Sequence, residues 1–126
     1  MADQTTQTVE KIWIAAYPKG TPTDINPDRF SSLSALLEDC LNKYSDKPAY
    51  HNLGVTLSFR DIDRLSRSFA AFLQSKGLKQ GDRIALQMPN LLQYPIALFG
   101  ALRAGLTVVN TNPLYTPSEM KHQFND

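Results

Sequence analysis

Apolar residues recur along this chain at two spacings, and the changes from one to the other mark its elements. Leu33, Leu36, Leu37, Cys40, Leu41 and Tyr44 form one stripe at helical spacing, which predicts a core-facing helix from Ser31 or Ser32 to about Tyr44. Ser45, Asp46, Lys47 and Pro48 break it. Ala49-Tyr50-His51, Asn52-Leu53-Gly54 and Val55-Thr56-Leu57 then read as a β-hairpin turning around Gly54. Ser58 opens the best-marked helix, with Asp61 three residues on as its capping-box partner. Phe59, Ile62, Leu65, Phe69, Phe72 and Leu73 follow as its apolar face, Arg60, Asp63, Arg64, Arg67 and Gln74 as its polar one, and Lys76-Gly77 as its end.

The stretch from Gly81 to Asp126 organises the rest. Arg83 to Met88 is a short apolar run, Asn90 to Arg103 an apolar stretch of helical length, and Thr107 to Asn110 a return to β-branched residues, so the pattern is strand, buried helix, strand. Asn90 is the candidate N-cap, and Pro95, placed in the second turn, is expected to bend the helix. That helix has almost no polar face and is expected to be covered on most sides. Gly105 ends it, and Thr116-Pro117-Ser118-Glu119 opens another helix with a capping box and proline at its first position. Parallel strands joined by a covered helix need a larger sheet around them. With Asp126 falling inside a helix that has barely begun, the chain is expected to be part of a longer protein.

Ahead of these elements, residues 1–8 are polar and without periodicity, and are expected to be disordered. Val9 to Phe30 carries Trp13, Ile14 and Tyr17 among Pro18, Pro22 and Pro27, which forbid a continuous helix or a central strand. An extended arm is expected, laying its aromatic side chains on its own domain or on a partner subunit. The organisation is thus an N-terminal tail and arm over residues 1–30 and a partial α/β unit over residues 31–126.

Composition narrows the chemistry. The chain has 126 residues, 42% hydrophobic and 20% charged, with a net charge of +1, which supports a globular core and gives no basic surface for nucleic acid. Cys40 is the single cysteine, so no internal disulfide forms, and it reads as a small buried thiol. The start, MADQTTQTVEK, has no apolar core of signal-peptide length, and no segment is long enough to span a bilayer, so a cytoplasmic protein is expected, with peripheral membrane contact open. His51 and His122 lie on different elements with no cysteine or paired carboxylate at ligand spacing, which argues against a metal site. In open α/β sheets ligands bind beyond the carboxyl ends of the strands, which here supply Pro89, Asn90, Asn110, Thr111 and Asn112. None is a recognisable catalyst, because caps and turns explain the asparagines. Neither a glycine-rich phosphate loop nor a GxSxG elbow occurs, so no catalytic, cofactor-binding or metal-binding residue is assigned.

Taken together, SFRDIDRLSRSFAAFLQSKGLKQGDRIALQMPN and LLQYPIALFGALRAGLTVVNTNPLYTPSEMKHQFND resemble the N-terminal part of bacterial long-chain fatty-acid–CoA ligases, AMP-forming acyl-CoA synthetases of the adenylate-forming superfamily. The resemblance runs from about Ile12 to Asp126 and implies an α/β fold, the incomplete large domain of such an enzyme, with a mixed or parallel sheet, covering helices and an N-terminal arm. It implies a considerably longer parent that uses ATP and Mg²⁺ to make an acyl-adenylate from a fatty acid and then transfers the acyl group to coenzyme A. The family's phosphate loop, adenine-contacting aromatic motif, ribose-binding aspartate and catalytic lysine would all follow Asp126, so this segment alone is expected to be inactive. In some members the arm contributes to homodimer contacts. Two rival readings stand beside this one: a non-catalytic dimerisation or interaction module, and part of an adenylating enzyme for another carboxylic acid.

Overall fold

A computed structural model describes residues 11–126, and the expectations for residues 1–8 and for Val9 lie outside it. Four α-helices and four strands follow one another as α1 (Leu33–Lys43), β1 (Pro48–Asn52), β2 (Val55–Ser58), α2 (Phe59–Ser75), β3 (Arg83–Gln87), α3 (Gln93–Arg103), β4 (Thr107–Thr111) and α4 (Pro117–Asn125). Strands β1 and β2 pair antiparallel, with Asn52 opposite Val55 at the turn. Strands β3 and β4 pair in parallel, from Arg83 opposite Thr107 to Gln87 opposite Thr111. Among the described residues these are two separate two-stranded sheets.

The helix starts follow their caps. The Ser32 hydroxyl accepts the Ala35 N–H at 3.0 Å. The Ser58 hydroxyl accepts the Asp61 N–H at 3.1 Å while the Asp61 carboxylate accepts the Ser58 N–H at 3.0 Å, and Thr116 and Glu119 repeat the exchange. Helix α3 begins differently from expectation. It starts at Gln93, without a side-chain cap, so Asn90 lies in the preceding loop and is not its N-cap. Pro95 is then its third residue, in the first turn rather than the second. An N–H at that position has no helical partner to lose, so proline is accommodated without a bend.

The apolar side chains collect in two clusters on either side of the α2–α3 seam. Leu37, Leu41 and Ile62 pack with Ala49, Leu57 and Phe99 beneath the hairpin. Ala70, Leu73, Ala101, Ala104 and Leu106 pack with Ile84 and Val108 against the parallel pair. The predicted stripe of α1 is only partly internal, because Leu33 and Leu36 are exposed and Cys40 is half-buried rather than buried. The buried part of the stripe is Leu37 and Leu41, which pack with Ile62 of α2. Phe72 likewise lies at the rim of the second cluster, half exposed. Helices α2 and α3 approach closely because of Gly100, where a Cβ would stand 2.8 Å from Phe69 Cδ1 and 2.9 Å from the Ser66 carbonyl oxygen. Ile84 and Val108 face α3, whereas Arg83, Ala85 and Val109 alternate to the other face and share a cavity with Gln123 and Phe124 of α4.

The arm is not simply extended. Ile12–Ala16 and Pro27–Arg29 form short 3₁₀ turns, the second opened by Pro27 behind the Asn26 side chain, which accepts the Asp28 N–H. Fixed proline φ angles suit these single turns as well as extended chain. Trp13 and Tyr17 are about half exposed, at 48% and 41%.

Candidate functional site

The carboxyl ends of β3 and β4 come together with the hairpin at one edge of the molecule. Asn52 at the end of β1 donates its side-chain amide to the Asn90 carbonyl at 2.8 Å, tying the hairpin to the loop after β3. Tyr94, in the first turn of α3, donates its hydroxyl to Asn110 Oδ1 at 2.8 Å, and Gln123 of α4 donates to the Asn110 carbonyl at 3.1 Å. Asn112 Oδ1 accepts the Leu114 N–H at 3.0 Å, the turn that carries the chain past Pro113. Thr111 is buried, and its hydroxyl has no partner. The edge thus gathers Asn90, Asn110, Thr111 and Asn112, the residues that the strand-end rule selects; hydrogen bonds hold Asn90, Asn110 and Asn112 to neighbouring residues, while the Thr111 hydroxyl makes none.

This chemistry positions groups and does not transfer them. His51 Nδ1 faces Thr56 Oγ1 at 2.7 Å across the hairpin, while His122 stands on α4 beside Tyr115 and Glu119. Burial raises the Tyr50 phenol above its ordinary range, which keeps it neutral. Among the described residues no three His, Cys, Asp or Glu side chains gather as a metal would require.

A second constellation lies on the helical side. Arg103 of α3, its side chain 9% exposed, donates to Glu38 of α1 and, at 2.7 Å, to Asp63 of α2. Arg67 completes the group, reaching Glu38 at 2.9 Å and Asp63 at 2.8 Å. Sequence reasoning placed Asp63 and Arg67 on a polar face and did not join them to Arg103. The partners of Arg103 are 65 and 40 residues away along the chain, and no local spacing reports such a meeting. The group clamps three helices.

A parallel strand–helix–strand unit with helices on both faces and a polar edge at its strand ends defines a portion of an open α/β domain. Comparison with known proteins makes this particular. The model of the AMP-binding enzyme family matches residues 37–126, and the chain belongs to that family. It is 56% identical over 119 residues to a long-chain-fatty-acid–CoA ligase of Escherichia coli O6:H1, covering 94% of this chain and 21% of the relative. It is 41% identical over 117 residues to the long-chain-fatty-acid–CoA ligase of Bacillus subtilis, covering 93% of this chain and 21% of the relative. A solved benzoate CoA ligase from Burkholderia xenovorans superposes with a TM-score of 0.68 at 28% identity, covering 73% of this chain and 19% of that one. The chain therefore spans about a fifth of the length of the relatives it matches.

Proposed function

We propose that this chain is the N-terminal scaffold of a long-chain fatty-acid–CoA ligase. The observation that carries the reading is the identity, across nearly the whole chain, to bacterial proteins of that name. In this reading the parent couples a fatty-acid carboxylate to the α-phosphoryl group of ATP, releasing pyrophosphate, and the thiol of coenzyme A then displaces AMP from the acyl-adenylate. The leaving group changes from a poor one to a good one. Residues 1–30 serve as the arm and residues 31–126 as one layer of the large domain.

Mg²⁺ accompanies ATP in the reading, but the described residues do not fit it. Magnesium takes oxygen ligands from one or two free carboxylates together with substrate phosphates and water. Glu38 and Asp63, two carboxylates brought together, are both committed to Arg67 and Arg103. In this reading the metal and the nucleotide are held by other parts of the parent, and no catalytic residue is assigned here. The parent is read as a cytoplasmic enzyme with peripheral access to the membrane; among the described residues no helix is long and apolar enough to cross one.

A second reading, a dimerisation or interaction module, is favoured by the exposure of Trp13 and Tyr17 on the arm. In a ligase the same side chains would serve homodimer contacts. Two measurements separate the readings: the intact mass of the protein from its native source, and pyrophosphate exchange into ATP. The ligase reading expects a mass several times that of 126 residues and exchange that depends on a long-chain acid and not on benzoate. Residues 1–126 alone should give none. A native mass equal to this chain would move the reading to the module, and exchange with aromatic acids only would move it to another carboxylic acid.

A further inference from the structure

We draw no further inference here: the strongest candidate, the cavity of about 260 Å³ between the β1–β2 hairpin and the loop after β3, lined by Tyr50, His51, Asn90 and Tyr94, opens at the surface of a chain about a fifth as long as its relatives, and nothing in the structure shows what covers it.

Discussion

At the seam between α2 and α3 a single carbon decides whether two helices fit. Replacing Gly100 with alanine would gain about 1 kcal/mol of helix propensity, yet overpacking a filled interface costs about 1–3 kcal/mol. The Phe69 ring can turn aside, but the Ser66 carbonyl is backbone and cannot. Gly100→Ala is therefore expected to lower the urea unfolding midpoint. Asp61 acts through charge rather than shape. Hydrogen bonds from the Ser58 hydroxyl and backbone, with a lesser contribution from the Arg64 cation, hold its carboxyl below the ordinary aspartate range. A carboxyl whose pKa is lower folded than unfolded stabilises above its unfolded value, and the contribution disappears as pH falls through the folded one. Unfolding midpoints should thus decline as pH drops below about 4. Asp61→Asn should flatten that decline, with the midpoint at neutral pH lowered; an unchanged acid slope in the variant would remove Asp61 from the account.

Three elements depend on one guanidinium. Arg103→Met leaves Glu38 and Asp63 facing Arg67 alone, and the two carboxylates are about a third exposed, so water offsets part of the loss. The expected cost is about 1–3 kcal/mol, below the roughly 3–5 of a fully buried pair, read as a shift in urea midpoint. Elements such as α2 were legible from the sequence because their signals are local: a serine cap, its acidic partner, an apolar face and a closing glycine all fall within one segment. The start of α3 was not, because a proline in the first turn and one in the second leave the same apolar pattern, and only the backbone distinguishes them. The turn at Gly54 was legible, but the left-handed conformation of Leu53 was not, since leucine carries no preference for it. Of the edge site, the strand-end rule selected Asn90, Asn110, Thr111 and Asn112. The hydrogen bonds from Asn52 to Asn90 and from Tyr94 and Gln123 to Asn110 cross between elements, so their residue types alone did not announce them.

At the scale of the whole molecule, the parallel pair β3–β4 has no other strand beside it among the described residues, and a parallel pair with open edges is a template for further pairing. Helix α3 is covered by α1, α2 and the two strands, so these edges, with the exposed arm, are the adhesive parts. Residues 1–126 produced alone should self-associate, and sedimentation velocity at rising concentration should show it; a monomer throughout would mean that the edges are protected. The missing carbon at Gly100 has a further consequence for how this layer can move. A slip of one turn along α2 would bring Ile96, Ala97, Arg103 or Ala104 to the same place, and each of them carries the carbon that the place cannot admit. A one-turn ratchet of α3 along α2 is therefore closed. The two helices can change register only by first moving apart, so the seam keeps one alignment for as long as it stays packed.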